Sequence, residues 1–220
     1  MMDKRVYLLC GHYGSGKTNV AVNLALALKK ERKKVAIADL DIVNPYFRTK
    51  DSAAELSAAG ITLIASEYAG SNVDIPALPQ QLYQLTDDKD LTAVIDVGGD
   101  DRGALALGRI APALKEEQNY EMWAVINRYR PLTPDVPSTL EVLREVEAAG
   151  GLPLTGIVNN SNLGAVTTPE DILASVEYAE AVAKAAGLPL AMTTAEARLE
   201  PALSGKIENL FPLTLQKRPV

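Results

Sequence analysis

The residues whose types and spacing best suit chemistry form one glycine-rich run, GHYGSGKT, at positions 11–18. Glycines at this spacing allow successive backbone N–H groups to curve around an oxyanion, because a Cβ atom would block the close approach. The lysine can reach the β- and γ-phosphates of a nucleotide, and the hydroxyl after it can bind Mg²⁺. The run therefore predicts a phosphate-binding loop (P-loop). The expected nucleotide-binding residues in and after it are Gly11, Gly14, Ser15, Gly16, Lys17, Thr18 and Asn19.

The elements on either side of the P-loop support this interpretation. An apolar stretch at residues 6–10 predicts a strand directly before it, and residues 17 to about 32 predict a helix directly after it. A strand, a glycine-rich loop and a helix in that order separate a true P-loop from a chance match. The helix N-terminus also adds partial positive charge where a phosphate would bind. The plainer alternative is a glycine-rich turn with an ordinary surface lysine.

Carboxylates stand at the ends of two later apolar stretches. Asp96 is expected to hold Mg²⁺, directly or through water, beside the P-loop threonine. Asp39 and Asp41 are expected to take different roles. One would orient the attacking water near the γ-phosphate, and the other would cap the loop or contact the metal shell; solvated strand ends are the plainer alternative. The expected metal ligands are Thr18, Asp39, Asp41 and Asp96.

Two asparagines, Asn127 and Asn159, end further apolar stretches. An asparagine amide carries both a donor and an acceptor, so it can read the hydrogen-bonding edge of adenine. We therefore predict both residues as candidate base contacts. A polar strand end without a ligand is the equally weighted alternative.

Six or seven apolar stretches alternate with helical patterns along the 220 residues. This alternation predicts an α/β fold, with a mainly parallel sheet of six to seven strands and helices on both faces. Right-handed crossovers would bring the P-loop and the polar strand ends to the carboxyl edge of the sheet, where such folds bind ligands. No linker or repeat divides the sequence, so one domain over 1–220 is expected. About the last 20 residues are expected to form a helical or irregular tail.

Composition disfavours several classes of function. The formal net charge of −6 argues against nucleic-acid binding through a basic surface. One cysteine and one histidine cannot build an intrachain disulfide or a Cys/His metal cluster. No stretch approaches the ~18 apolar residues of a membrane helix, and the apolar run at residues 6–10 is too short for a signal peptide. We therefore expect a cytoplasmic protein that binds neither nucleic acid nor membrane directly.

The P-loop and two acidic segments together resemble the MinD/ParA-like ATPases. The acidic segments read DLDIVNPYFR at 39–48 and DVGGDDRG at 96–103, and looser likeness occurs at 126–131 and 157–161. The likeness spans nearly the whole chain. It implies the CobQ/CobB/MinD/ParA nucleotide-binding domain, a P-loop NTPase of the deviant-loop (SIMIBI) type.

The resemblance implies roles for particular residues. In that family the segment after the second strand is a first switch whose second aspartate, here Asp41, assists hydrolysis. The Asp-x-x-Gly segment that starts at Asp96 is a second switch, and adenine contacts fall on Asn127 or Asn159. The resemblance thus implies ATP and Mg²⁺ as cofactors, Lys17 and Asp41 as catalytic residues, and a homodimer as a partner state.

One position departs from the family pattern. The family loop reads Gly-Lys-Gly-Gly-x-Gly-Lys-Thr, and its first lysine reaches across a dimer to the partner's nucleotide. Here that position is His12, and the next is Tyr13. A lysine acting in trans is therefore absent from this loop, which leaves open whether ATP drives dimerisation.

Three functions fit these residues. The first is a Mg²⁺-dependent ATP-binding protein, a slow ATPase or ATP-driven switch, that acts on an unidentified protein or cofactor-assembly client. The second is an ATP-dependent phosphotransferase or ligase similar to dethiobiotin synthetase or the cobyrinic-acid amidating enzymes. Residues 44–48, 70–76 and 100–102 would then surround a small-molecule client. The third, a metal-insertion GTPase, is disfavoured because the sequence has no Asn/Thr-Lys-x-Asp segment and no Cys/His pair for the metal.

Overall fold

A computed structural model of the protein describes residues 2–40, 49–65, 80–98 and 101–216. The strands are β1 Val6–Cys10, β2 Val35–Leu40, β3 Thr62–Ala65, β4 Thr92–Val97, β5 Tyr120–Ile126, β6 Gly156–Asn159, β7 Leu190–Glu196 and β8 Leu210–Leu213. They form one parallel sheet in the order β3-β2-β4-β1-β5-β6-β7-β8. The predicted α/β class and parallel sheet are therefore confirmed. The sheet has eight strands where six to seven were expected.

The eighth strand is where the prediction of a helical or irregular tail was wrong. Its four residues, Leu-Phe-Pro-Leu, pair in parallel with β7 from Leu210 to Leu213. Proline argues against a strand in the sequence because it cannot donate to a ladder. β8 lies at the edge of the sheet, where a proline without an N–H group is tolerated on the open side.

The helices of the described residues include one for every crossover between consecutive strands. They are α1 Lys17–Lys29, α2 Ala53–Ala58, α3 Gln84–Asp87, α4 Asp101–Glu117, α5 Val136–Gly150, α6 Pro169–Ala186 and α7 Glu200–Leu203. Short 3₁₀ turns lie at Thr49–Ser52, Gln80–Tyr83, Gly164–Val166 and Ala197–Leu199. None of the helices in these ranges has the length and apolar character needed to cross a bilayer.

Two apolar layers cover the sheet, because strand side chains alternate between its faces. On one face, Tyr7 and Leu9 of β1 pack with residues of α1 and α2, among them Leu24. On the other face, Leu8 of β1 packs with residues of α4, α5 and α6. Helices therefore lie on both faces, as predicted. Burial on both sides also explains why the strands are almost continuously apolar in sequence.

Helix α4 begins at Asp101, soon after β4 ends at Val97, and it contains Pro112 in its interior. The described residues between β2 and β3 form the 3₁₀ turn at Thr49–Ser52, followed directly by α2.

Candidate functional site

The P-loop joins β1 to α1 and depends on glycine at fixed places. Gly11, Gly14 and Gly16 have φ angles of 135°, 77° and 89°, which L side chains rarely adopt. A Cβ on Gly11 would lie 2.5 Å from the carbonyl oxygen of Val125, and a Cβ on Gly16 would lie 2.2 Å from Nδ2 of Asn160. Only glycine fits these positions, so the loop is both left-handed in part and closely packed against β5 and the residues after β6.

The donors of the loop converge on one carbonyl group. Lys17 is 4% exposed, and its Nζ donates to the His12 carbonyl oxygen at 3.2 Å. The backbone N–H of Ser15 donates to the same oxygen at 3.2 Å. The buried hydroxyl of Ser15 has no hydrogen-bond partner within the described residues. These donors lie at the N-terminus of α1, a position that favours an anion such as a nucleotide phosphate.

Two of the predicted metal ligands end neighbouring strands at the same level. Asp39 of β2 pairs with Asp96 of β4, and Asp96 pairs with Leu9 of β1, whose side chain faces α1. The two carboxylates therefore lie on the α1 side of the sheet, where Thr18 belongs to the first turn of the helix. Asp96 is fully buried and its Oδ2 accepts a hydrogen bond from the Thr49 hydroxyl at 3.2 Å. Asp41 lies outside the described residues.

This donor set fits Mg²⁺. The described residues hold no group of three or more His, Cys, Asp or Glu side chains that could bind a metal ion by themselves. Mg²⁺ does not need such a cage, because proteins usually bind it through one or two carboxylates together with substrate phosphates and waters. Thr18, Asp39 and Asp96 could supply these oxygen ligands beside a phosphate held in the loop.

Asn127 uses its side chain to join the loops after β5 and β6. Its Oδ1 accepts from the backbone N–H groups of Tyr129 at 3.0 Å and Asn162 at 3.3 Å, and its Nδ2 donates to the Asn162 carbonyl at 3.3 Å. The residue is fully buried. The structure thus gives Asn127 a role within the protein, and its contact with a base stays a prediction.

Asn159 and Asn19 also bond within the protein. The Nδ2 atom of Asn159 donates to the Ser175 hydroxyl at 2.9 Å, and its Oδ1 accepts from the Ser161 N–H at 3.2 Å. Oδ1 of Asn19 accepts from the backbone N–H of Gln216 at 3.3 Å, after β8. Nucleotide contacts of both residues stay predictions. Sequence alone could not show which partner each amide would take.

Three residues not predicted from the sequence contact the P-loop or support a contact. Nε of Arg130 donates to the Gly14 carbonyl at 2.9 Å. Nδ2 of Asn160 donates to the Ser15 carbonyl at 2.6 Å, and Oδ1 of Asn160 accepts from the Thr194 hydroxyl at 2.5 Å. Asn160 directly follows β6, and that position was a usable signal. Thr194 lies inside β7 and Arg130 lies further along its loop, so neither carried a strand-end signal.

Cys10 and His12 flank the start of the loop but bond to backbone. The Sγ of Cys10 donates to the Trp123 carbonyl at 3.3 Å, and burial raises the pKa of this thiol to about 12. Nδ1 of His12 lies 3.0 Å from the Tyr13 carbonyl oxygen, which can only accept, so this nitrogen carries the proton. Neither side chain is placed as a nucleophile.

Comparison with known proteins agrees with this geometry. The family model described as the CobQ/CobB/MinD/ParA nucleotide binding domain matches residues 11–164. The sequence matches no curated protein. The matched range contains the P-loop, both acidic segments, and Asn127 and Asn159.

Solved structures with a similar fold include signal recognition proteins. FtsY from Thermotoga maritima is 17% identical with a TM-score of 0.59, covering 87% of this chain and 61% of that one. Chloroplast FtsY from Physcomitrella patens is 20% identical with a TM-score of 0.56, covering 86% and 58%. The 54 kDa signal recognition particle protein from Aeropyrum pernix, in complex with GDP, is 15% identical with a TM-score of 0.51, covering 87% and 41%.

These structural likenesses show the fold, and this chain spans about three-fifths of the length of the FtsY chains. The family match rests on more than half of the chain and includes the glycine-rich loop and Lys17. The chain therefore belongs to the CobQ/CobB/MinD/ParA family of nucleotide-binding domains, with the fold of a P-loop NTPase.

Proposed function

We propose that this protein binds ATP together with Mg²⁺ and acts as a slow ATPase or ATP-driven switch on a protein or cofactor-assembly client. The observation that carries the proposal is the placement of Asp39 and Asp96 side by side, on the same face of the sheet as α1. A loop for phosphate and a pair of carboxylates for a metal then meet at one end of one helix. That combination suits a Mg²⁺–nucleotide complex better than a simple anion.

The residues of the chain divide the work in the following way. Lys17 exchanges the His12 carbonyl for phosphate oxygens and holds them by charge. Thr18 and Asp96 are the ligands expected to position Mg²⁺, and Asp41 is the residue expected to orient the attacking water. Bound Mg²⁺ would supply positive charge at the β- and γ-phosphate oxygens.

A hydrogen bond between the second expected switch segment and the residue that follows the first supports a switch. Thr49 directly follows the first acidic segment, and its hydroxyl donates to Asp96 at the start of the second. Any ligand that draws the Asp96 carboxylate towards a metal competes with this hydrogen bond. Nucleotide binding at Asp96 would therefore weaken the hydrogen bond of Thr49. This would change how the residues that precede Thr49 are held.

The identity of the base needs a direct test, because two of the similar structures were solved in complex with GDP. We favour ATP because the sequence has no Asn/Thr-Lys-x-Asp segment with which to read guanine. Isothermal titration with ATP and with GTP, each with Mg²⁺, distinguishes them. We expect ATP to bind more tightly, and tighter binding of GTP would overturn the assignment of the base.

A small-molecule phosphotransferase or ligase is the second candidate, because the matching family model groups CobQ and CobB with MinD and ParA. Light scattering with a non-hydrolysable ATP analogue separates the two. A switch of the MinD/ParA type is expected to change its oligomeric state with ATP. A strict monomer under all nucleotide conditions would favour the ligase, in which the loops after the strands enclose a substrate.

A further inference from the structure

Two consecutive carbonyl groups of the P-loop are held by side chains from outside the loop. Arg130 donates from Nε to the Gly14 oxygen at 2.9 Å, and Asn160 donates from Nδ2 to the Ser15 oxygen at 2.6 Å. The first side chain comes from the loop after β5 and the second from the residue after β6. Neither contact is made by P-loop residues themselves, so the shape of the loop depends on the neighbouring strands.

Fixing a carbonyl also fixes the N–H group on the other side of the same peptide unit. No peptide bond among the described residues is cis. In a trans peptide the C=O and the next N–H point in opposite directions. Holding the Gly14 and Ser15 oxygens outside therefore aims the N–H groups of Ser15 and Gly16 towards the inside of the loop. The Ser15 N–H does point inwards, where it donates to the His12 carbonyl at 3.2 Å.

The orientation of the Asn160 amide is itself fixed. The Thr194 hydroxyl donates to Oδ1 of Asn160 at 2.5 Å, and an amide oxygen can only accept. The Nδ2 group is therefore the end turned to the P-loop. Asn160 is 4% exposed and Thr194 is 1% exposed, so water does not compete freely for these bonds. The backbone N–H of Asn160 also donates to the Ile126 carbonyl at 2.9 Å.

The loop that carries Arg130 is likewise braced. The Thr133 hydroxyl donates to the Asn127 carbonyl at 2.7 Å, closing the loop on itself. The Tyr178 hydroxyl, on α6, donates to the Thr133 carbonyl at 2.9 Å. Arg130 is exposed, but its backbone N–H donates to the Asn127 carbonyl at 3.1 Å. The guanidinium group of Arg130 therefore contacts Gly14 from a loop whose backbone is held in place.

We propose that Arg130 and Asn160 are positioning residues for nucleotide binding, with Thr194 setting the orientation of the Asn160 amide. They do not contact the phosphates themselves. They orient the peptide groups whose N–H groups would bind the phosphates. The inference rests on the proposed function, since it assumes that the P-loop receives a nucleotide phosphate. It assigns to the loops after β5 and β6 a task other than reading the base.

Arg130 offers a matched pair of substitutions. The Nε2 of a glutamine lies the same number of bonds from Cα as Nε of arginine, so Arg130→Gln keeps a donor for Gly14 while removing the charge. Arg130→Met has similar reach but no donor. We expect Arg130→Met to raise the Kd for Mg²⁺–ATP about tenfold, and Arg130→Gln to recover most of the affinity. Equal loss in both variants would mean that the charge contacts phosphate directly and would overturn the positioning role.

Thr194 provides the second pair. Thr194→Val removes the hydroxyl at nearly constant volume, and Thr194→Ser keeps it. We expect the valine variant to bind Mg²⁺–ATP about tenfold more weakly and the serine variant to bind nearly as wild type. The backbone amide resonance of Gly16 should shift in the nucleotide-free valine variant but not in the serine variant. Equal Kd values, or an unmoved Gly16 resonance, would refute the role of Thr194.

The exposed Arg144 on α5 supplies a control, because Arg144→Met removes an arginine that has no part in these contacts. Its Kd should equal that of the wild type. Different results would reject the proposed function and the positioning roles. A wild-type protein that binds neither ATP nor GTP rejects the proposed function. A wild type that binds nucleotide, with variants that bind equally well, rejects only the positioning roles.

Discussion

Asp39 and Asp96 occupy paired positions on neighbouring parallel strands, and their side chains lie on the face of the sheet that packs against α1. Both are largely buried, at 9% and 0% exposure. Carboxylate oxygens are ligands that Mg²⁺ prefers, and proteins usually bind this ion through one or two carboxylates. The proposed metal site would therefore be anchored to a fixed feature of the sheet.

Asp96→Asn should reduce the effect of Mg²⁺ on nucleotide binding. In the wild type we expect ATP to bind more tightly with Mg²⁺ than with a chelator. The substitution should shrink that difference about tenfold or more, because it removes a charge from the expected metal site. Titration calorimetry in both conditions measures it. Asp90→Asn, in the exposed turn before the same strand, is the control and should leave the Mg²⁺ effect intact.

Substitution of Lys17 and substitution of Asp41 should have different effects on nucleotide binding and turnover. Lys17→Ala removes the cation that the structure places inside the loop, so we expect nucleotide binding to be lost. Asp41→Ala should retain binding and lose turnover, because its expected task is to orient water. Calorimetry and phosphate release, measured on the same preparations, separate binding from hydrolysis. Equal loss of binding in both variants would assign Asp41 a structural role instead.

Gly16→Ala should abolish nucleotide binding by distorting the loop. Its Cβ would lie 2.2 Å from Nδ2 of Asn160, at a φ of +89°. Gly205 offers a matched control, since its φ is +76° but a Cβ there would meet nothing within 4 Å. Gly205→Ala should cost only the backbone strain, about 1–2 kcal/mol of unfolding free energy, and leave the Kd unchanged. Similar Kd values for the two variants would show that packing against Asn160 is unimportant.

An ion pair at the opposite edge of the sheet should make the protein sensitive to acid. Glu117 accepts from Nε and Nη2 of Arg5 and from Nζ of Lys89. The hydrogen bonds from Arg5 are the main reason that the pKa of Glu117 falls from 4.5 to about 2. A lowered folded pKa stabilises the protein above the unfolded value. That stabilisation, roughly 3 kcal/mol, is lost as the pH falls from about 4.5 towards 2.

Urea unfolding at pH 5 and pH 3 tests this contribution. The wild type should lose stability between the two, and Glu117→Gln should flatten the dependence because glutamine does not titrate. Glu116→Gln, an exposed neighbour on the same helix, should behave as the wild type. A slope that is the same in all three proteins would show that another group dominates acid unfolding.

Cys10 should be nearly unreactive in the folded protein. Its thiol is buried directly before the P-loop, and its pKa of about 12 leaves little thiolate at pH 8. We expect iodoacetamide to label it about a thousandfold more slowly than in urea. Since it is the sole cysteine of the chain, mass spectrometry reads it without ambiguity. Labelling at the unfolded rate would mean that the end of β1 opens readily.

Residue types and strand ends were enough to predict the parts of the site that follow local rules. The P-loop was recognisable because its glycines, Lys17 and Thr18 are adjacent in sequence. Asp39 and Asp96 could be placed because parallel strands share a carboxyl edge. The contacts of Arg130 and Asn160 with the P-loop could not be predicted from the sequence, because they depend on the path of loops more than a hundred residues further along the chain.

The asparagines show a second limit of sequence reasoning. An amide that could read a base is chemically identical to one that bridges two loops, and Asn127 is placed as a bridge. The edge strand β8 shows a third limit. The energetic cost of a proline without an N–H group depends on which side of the strand is unpaired, and the local sequence does not reveal that side. Both outcomes are decided by neighbours that the local sequence does not contain.

The central position of β1 has a consequence for synthesis of the chain. Its neighbours in the sheet are β4 and β5, and Asn160, which accepts a hydrogen bond from Thr194, contacts the P-loop that follows it. Strand β1 is thus synthesised before the strands and side chains that complete its surroundings. A nascent chain stalled before β7 should not retain nucleotide, whereas one released beyond Thr194 should. Nucleotide binding by stalled chains would therefore show at which stage of synthesis the P-loop contacts are complete.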